Sequence, residues 1–278
     1  DRIYRVTQQG EQLYTSALLA PTMEEELPEV EHAVRISQRW GQEVLVKQET
    51  GSFYEKNFFF TDPSFFDVFS FSLLRGNPKT ALQSPFSVVI SQSMAQKYFP
   101  ESNPIGQTLT IEGPWDPLDF TVTGVVEDPP ANSHLSFNFL ASFSSRFGEG
   151  DALSREQIMS WGYFGSYTYV LLNKVDDIDA LREKMSDFFR QHQGEGLSEM
   201  SEEERNEFLE TAYTFQPITS IHLHSNLENE LGPGGDVRTL YIFSVAALLI
   251  LLIAGVNYAI LATAQSTRRA QEVGVRKA

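Results

Sequence analysis

The run Leu240–Ala264, LYIFSVAALLILLIAGVNYAILATA, holds twenty-five consecutive residues without a charge. As a helix rising about 1.5 Å per residue it reaches roughly 37 Å, against about 30 Å for a bilayer's hydrocarbon core. Core helices of soluble domains rarely run so long and normally carry a polar stripe. The run is therefore predicted to cross a membrane with some tilt.

Its flanks set the orientation. Arg268, Arg269, Arg276 and Lys277 follow it with Glu272 as the only acid, whereas Arg238 stands beside Asp236 before it. The positive-inside rule puts residues 265–278 in the cytoplasm. The chain has 21 basic and 37 acidic residues, of which residues 240–278 hold four and one. Residues 1–239 thus keep 17 and 36, a net −19, and are placed outside the membrane. The overall charge of −16 argues against a nucleic-acid partner, because phosphate contacts need clustered Lys and Arg. There is no cysteine. Disulfides, thiolate-bound zinc, iron–sulfur clusters and thiol catalysis are excluded together.

The opening Asp1-Arg2-Ile3-Tyr4-Arg5-Val6 reads as the inside of a strand, with neither Met nor a signal region. The sequence is read as a segment of a longer membrane protein. Its outer part alternates strands and helices in an α+β pattern. Strands are predicted at Ile3–Thr7, Val34–Ile36, Val44–Val46, Val88–Ile90, Leu109–Ile111, Phe120–Val126, Phe137–Phe143, Tyr167–Leu172, Thr214–Pro217 and Ser220–Leu223. A helix is predicted over residues 22–32, with Thr22 as N-cap and Met23, Leu27 and Val30 inward. Asp62 as cap, with Pro63 at the first helical position, opens a short helix with Phe65, Phe66 and Phe69 inward. Ser91 caps another, holding Met94 and Tyr98. Pro104-Ile105-Gly106 makes a turn, and Asp128-Pro129-Pro130 forces a break. Asp177–Gln191 forms an amphipathic helix with Ile178, Leu181, Met185 and Phe188 inward. An acidic helix runs from a capping box, Ser201 with Glu204, through Ala212.

Candidate chemistry is thin. His222 and His224, two apart on a predicted strand, would share a face and could begin a metal site. Only Glu228 or Glu230 offers a third ligand, so no metal and no cofactor is expected. Glu24–Glu26 and Glu202–Glu204 read as solvated helix faces. Neither a G-x-S-x-G elbow nor a G-x-x-x-x-G-K phosphate loop occurs, so no catalytic residue is assigned. Within the span, Gly255, Ala259 and Ala262 recur at helical spacing with Asn257 nearby. Small residues permit close helix approach, and an intramembrane amide wants a partner.

The stretch Asn257-Tyr258 … Leu261-Ala262-Thr263-Ala264 … Arg268-Arg269-Ala270-Gln271-Glu272-Val273-Gly274-Val275-Arg276-Lys277-Ala278 resembles the end of the second span of MacB/FtsX-type ABC transporter permeases. Asp1–Val6, Phe60-Thr61-Asp62-Pro63 through Gly76-Asn77-Pro78, Ile90-Ser91 through Gly106-Gln107, and Val122–Val126 are similar to that family's MacB-like periplasmic core domain. The resemblance covers nearly the whole chain, and the arginine-rich tail is its most specific part.

The resemblance implies a non-catalytic permease subunit in the cytoplasmic (inner) membrane, with residues 1–239 periplasmic. It implies a porter-like βαβ/ββαβ subdomain over residues 1–40 and 132–224, with a mainly-β insertion at 41–131. A stalk at 225–239, a transmembrane helix at 240–264 and a cytoplasmic coupling segment at 265–278 would follow. The implied partners are a cytoplasmic ABC ATPase, fused or separate, a second permease protomer in a homodimer or heterodimer, membrane lipid and a periplasmic adaptor. The implied action is mechanotransmission: ATP hydrolysis moves the spans, which move the outer domain for export. Family substrates include macrolides, peptides and lipoproteins, and no residue here chooses among them. Arg268, Arg269, Glu272, Gly274, Arg276 and Lys277 would contact the ATPase, and the same charges would set topology. A different class stays open, an extracytoplasmic sensor whose single span relays a signal inward. A sensor would continue beyond residue 278 into a soluble module, a permease into further apolar spans.

Overall fold

Residues 58–60, FFF, and 88–90, VVI, are apolar at every position. Successive strand side chains point to opposite faces, so such runs fit strands covered on both sides. The computed structural model describes residues 2–8, 12–38, 43–49, 51–113, 117–147, 153–193, 201–225, 227–232, 234–235 and 237–277. The fold is α+β. It begins with β1 (Ile3–Gln8), β2 (Thr15–Ser16), α1 (Leu19–Glu26) and β3 (Val30–Ser37). Next come β4 (Glu43–Gln48), β5 (Gly51–Lys56), β6 (Phe58–Thr61), α2 (Phe65–Val68) and β7 (Leu73–Gly76). They are followed by β8 (Ser87–Ser91), α3 (Gln92–Tyr98), β9 (Thr108–Glu112), β10 (Leu118–Val126) and β11 (Phe139–Ser142). After a 3₁₀ turn at Phe143–Phe147 come α4 (Arg155–Ile158), β12 (Phe164–Leu172), α5 (Asp177–Gln193) and α6 (Glu202–Thr211). The chain ends with β13 (Tyr213–Pro217), α7 (Ile218–His224) and α8 (Val237–Lys277).

One mixed sheet runs in the order β13-β1-β12-β3-β6-β11-β8-β10-β9-β4-β5, with β2 paired to β12 and β7 to β10. The β6–β11 and β8–β10 pairs are parallel. Side-chain alternation sorts the core. Val170 and Leu172 of β12 join α1, α5 and α6 in one apolar cluster. Tyr167, Tyr169 and Leu171 point the other way, toward Phe65, Val68 and Phe69. In β6, Phe59 faces that second cluster, whereas Phe58 and Phe60 face a third with Val88, Ile90 and Phe139. The apolar runs are thus buried on both faces, as their composition requires.

Two close approaches fix the connections. Gly76 has φ of +95°, and a Cβ there would lie 2.4 Å from the Thr123 carbonyl oxygen. Only glycine fits this crossing of β7 and β10. Arg35 on β3 holds Asp62 through Nε and Nη2, at 2.9 and 2.7 Å, while its Nη1 donates to the Ala17 carbonyl at 2.7 Å. The guanidinium also lies 3.8 Å over the Phe143 ring.

Four sequence expectations are corrected. The helix expected over residues 22–32 is α1, which starts at Leu19 and stops at Glu26. Pro28 disfavours helical backbone at Leu27 and cannot donate an amide, so residues from Val30 join β3 instead. Asp62 is not a helix cap: Ser64 occupies that position, and Asp62 serves Arg35. The strand expected at Phe137–Phe143 is shortened to β11, because Phe143 enters the 3₁₀ turn. The strand expected at Ser220–Leu223 is the helix α7, which buries Ile221. Strands β2, β5, β6 and β7 are not legible in the sequence. The Ser91 cap is as expected, its hydroxyl accepting from the Met94 amide.

Residues Asp1–Gly234 form one compact unit, and Gly235–Ala278 a second. The second is α8, a continuous helix of 41 residues. Its apolar side chains between Tyr241 and Leu261 are at least half exposed, and Val237–Ser266 is long and apolar enough to cross a membrane.

Phe65 touches the rings of Phe66, Phe69, Phe71 and Phe137 at centroid distances of 4.9–5.9 Å. Phe65→Ala is expected to cost about 3–5 kcal/mol in chemical unfolding. Tyr54→Ala, at a 75% exposed position, should stay within about 0.5 kcal/mol.

Candidate functional site

Among the described residues, the most buried charge in the outer unit lies on its first strand. Alternation along β1 turns Tyr4 and Val6 into the first apolar cluster, so Arg5 points to the opposite face. That face is covered too, and Arg5 is 0% exposed. A buried guanidinium needs a charged partner and further acceptors. Glu230 supplies the charge, accepting from Nη1 at 2.5 Å and from Nη2 at 3.0 Å. The Gln216 side-chain oxygen and the Ser225 hydroxyl accept from Nη2 at 2.7 and 2.9 Å. Ser225 in turn donates to Glu230 at 2.5 Å.

Residues 225–232 are therefore tied to a strand more than two hundred residues earlier. Two other contacts hold the same stretch. The Tyr167 hydroxyl of β12 donates to the Asn229 carbonyl at 2.6 Å. A Cβ on Gly232 would come within 2.6 Å of the His134 carbonyl oxygen, so the two backbones meet with no room for a side chain.

The electrostatics follow from burial. Burial alone would raise the Glu230 pKa, but hydrogen bonds from Arg5 and Ser225 outweigh it and hold the carboxyl low. His134 is pushed down to about 4, by burial first and then by the positive charge of Arg5. The Tyr169 hydroxyl lies beside the guanidinium without reaching hydrogen-bond geometry, and burial raises its pKa. Arg5 Nε, His134 Nε2 and His222 Nδ1 are buried without a protein partner. Such atoms around one charged centre are where ordered water is expected.

The predicted site residues lie elsewhere. Arg268, Arg269, Glu272, Gly274, Arg276 and Lys277 fall on the helical backbone of α8, and their side chains lie outside the described residues. So does the Glu204 side chain of the expected capping box. Gly255, Ala259 and Ala262 share one face of α8, but Asn257 is about 200° around from Gly255 at 100° per residue. His222 and His224 do not share a face, because two residues on a helix are about 200° apart. Among the described residues, no group of three or more His, Asp and Glu is placed to hold a metal. The acidic run on α1 is partly engaged: Glu24 accepts from the Ala33 amide at 2.7 Å, and Glu26 pairs with His192 at 2.9 Å. Arg5 itself was missed. Its one signal was a charge inside a strand whose neighbours are apolar.

The His134 environment gives a pH test. Its folded pKa lies below the unfolded value of about 6.5, so the unfolded state binds more protons between pH 4 and 6.5. Its contribution is complete above pH 6.5 and is lost as pH falls toward 4. By chemical unfolding, the protein should lose roughly 1–2 kcal/mol between pH 7 and 5, where Glu230 stays ionised. His134→Gln should flatten that slope.

The geometry above can be set beside known proteins. The family model for the MacB-like periplasmic core domain matches residues 1–188. The fold is similar to a domain described as that of a permease protein from Porphyromonas gingivalis, with TM-score 0.61 and 24% identity over 83% of this chain and 94% of that one. It is also similar to the periplasmic region of MacB from Actinobacillus actinomycetemcomitans, with TM-score 0.54 and 17% identity over 79% of this chain and 90% of that one. No curated protein sequence matches. With more than half its length matched, the chain belongs to the MacB-like periplasmic core domain family of ABC-transporter permeases.

Proposed function

We propose that this chain is the outer domain and following span of a non-catalytic permease subunit that couples ATP hydrolysis on a cytoplasmic ABC ATPase to movement outside the membrane. The observation that carries this reading is the continuity of α8. A single helix of 41 residues, about 62 Å at 1.5 Å per residue, joins the apolar run to the basic tail. Such a helix is stiff along its axis. A push at Arg268, Arg269, Glu272, Gly274, Arg276 and Lys277 would arrive at its far end.

In this reading, residues 265–278 are cytoplasmic and meet the ATPase, and residues 1–239 are periplasmic, anchored in the inner membrane. Residues 1–40 and 132–224 make the porter-like subdomain, residues 41–131 its insertion, and residues 225–239 the stalk. Gly255, Ala259 and Ala262 pack against another span, Asn257 meets a different neighbour, and a paired permease protomer and a periplasmic adaptor complete the assembly. Export is the outcome.

Topology is tested first. The chain lacks cysteine, so Ser52→Cys and Ser266→Cys give single labelling sites. In intact spheroplasts, an impermeant thiol reagent should label the first and spare the second. The reverse pattern would overturn the orientation.

Coupling is tested in the full-length permease. Exposed ion pairs contribute only about 0–1 kcal/mol each, so Arg269→Glu with Arg276→Glu is the proper change. The inserted double variant should lose co-purification with its ATPase and stimulation of ATP hydrolysis. Normal binding and stimulation would leave these residues as topology signals. Absence of any ATPase partner with the unaltered protein would favour the sensor reading.

A further inference from the structure

Residues 225–232 belong to no helix or strand, so no ladder of backbone bonds ties them to the sheet. β1, by contrast, pairs with β12 on one side and β13 on the other, which fixes the backbone of Arg5. The stretch is held instead by Glu230 on Arg5, by Tyr167 on the Asn229 carbonyl, and by Leu231, which is 6% exposed within the second apolar cluster. His134 stands at this junction. Its carbonyl oxygen would lie 2.6 Å from a Cβ on Gly232. Its buried ring is 5.5 Å from that of Tyr169 and 6.5 Å from that of Phe69, between centroids.

Charge reaches the imidazole from several elements. β1 brings Arg5, the stretch itself brings Glu230, and α7 brings His222. β12 brings the Tyr169 hydroxyl, kept neutral because burial raises its pKa. Phe69, after α2, is uncharged, and Glu127 and Asp128, after β10, are exposed residues on a cleft wall that they share with His134. Neutral His134 adds no charge to this cluster. A proton on it would set a second cation beside Arg5, with Glu230 as the buried carboxylate for both. The attraction to Glu230 is smaller than the combined effect of burial and Arg5, so the pKa is held down at about 4. In water the imidazole would return to about 6.5. Acid therefore favours an arrangement in which water reaches His134 and Arg5 together. β1 cannot give way without breaking two ladders, whereas residues 225–232 can.

We propose that His134 is an acid-triggered release: protonation of its imidazole frees residues 225–232 from the sheet while the sheet itself stays folded. The loss of stability with falling pH then falls on this stretch first, because opening it relieves the crowded charge at the smallest cost in buried area and hydrogen bonds. What the release would act on, the stalk proposed at residues 225–239, rests on the permease reading. The release itself does not.

The chain lacks cysteine, so Leu231→Cys places a single thiol under the stretch, and Ala141→Cys, at a 0% exposed position of β11, places one within the sheet. Each full chain, in lipid nanodiscs, is treated with 4,4′-dithiodipyridine at pH 7 and at pH 5, and its rate is divided by that of a free thiol peptide at the same pH. The relative rate for Leu231→Cys should rise about tenfold or more at pH 5. There it should exceed that of Ala141→Cys by about tenfold or more, since the sheet stays closed. Adding His134→Gln, or His134→Asn if the first does not fold, should abolish the rise. If either thiol variant fails to fold by circular dichroism, amide exchange of the unaltered chain and of His134→Gln, corrected for the intrinsic rate at each pH, makes the same comparison between residues 225–232 and β11. No rise at residues 225–232, a rise that persists without His134, or equal rates in the stretch and the sheet at pH 5 would each overturn the proposal. None of these outcomes touches the permease reading, which rests on the family match and on α8.

Discussion

The ion pair between Arg5 and Glu230 is the constraint around which the outer unit closes. A fully buried guanidinium is tolerable only with a charged partner and further acceptors, since desolvation of a charge costs several kcal/mol even in a relaxed protein. Here the partners come from three places: β13, the residue after α7, and the stretch before Gly232. None is close to Arg5 in the chain. The pair therefore forms only when the first strand, the last strand and the segment beyond it are all in place. Removing either charge strands the other, with a cost of about 3–5 kcal/mol, whereas replacing both with apolar groups would cost far less. The arrangement enforces one geometry more than it adds stability.

The same logic recurs in the middle of the sheet. Arg35 and Asp62 join β3 to the end of β6 with two side-chain hydrogen bonds, and the Arg35 amide adds a third to the same carboxylate at 2.9 Å. Around this fixed point the apolar strands can be covered on both faces without slipping. A one-residue slip of β6 would move Phe58 and Phe60 into the second cluster and Phe59 into the third. All three positions are phenylalanine, so hydrophobicity alone would not resist the slip. The Asp62 carboxylate, one residue past the strand, does.

Legibility in the sequence followed how local each signal was. Leu240–Ala264 and the cap at Ser91 are local signals: the first lies within one helix long and apolar enough to cross a membrane, and the second caps α3 as read. Residues 22–32 carried local helix signals in Thr22 and Glu24–Glu26, but Pro28 and the pairing of Val30–Ser37 with β12 outweighed them. Ser220–Leu223 alternates polar and apolar over only four residues, too few to separate a strand from a helix that buries Ile221 alone. Arg5 was illegible for a different reason. Alternation correctly put it opposite Tyr4 and Val6, but nothing near it in the sequence says that the opposite face is covered. That knowledge depends on Glu230, 225 residues away.

In the proposed mechanism the outer domain is moved, and the contacts on residues 225–232 form a polar latch suited to that. Apolar packing resists separation but tolerates sliding, since dispersion and hydrophobic burial have little direction. Hydrogen bonds to a guanidinium have both distance and angle, so they resist sliding as well. Asn229 is held by Tyr167 of β12, Glu230 by Arg5 of β1, and Gly232 abuts the backbone of His134. Three separate elements are thereby gripped by four consecutive residues, 229–232. In the proposed mechanism, displacement of this stretch reaches the sheet through β1 and β12 at once, as translation of adjacent paired strands. An apolar seam of the same area would let the stretch shear first. The buried charge is thus best understood as a device for direction, and its modest net stability is consistent with that role.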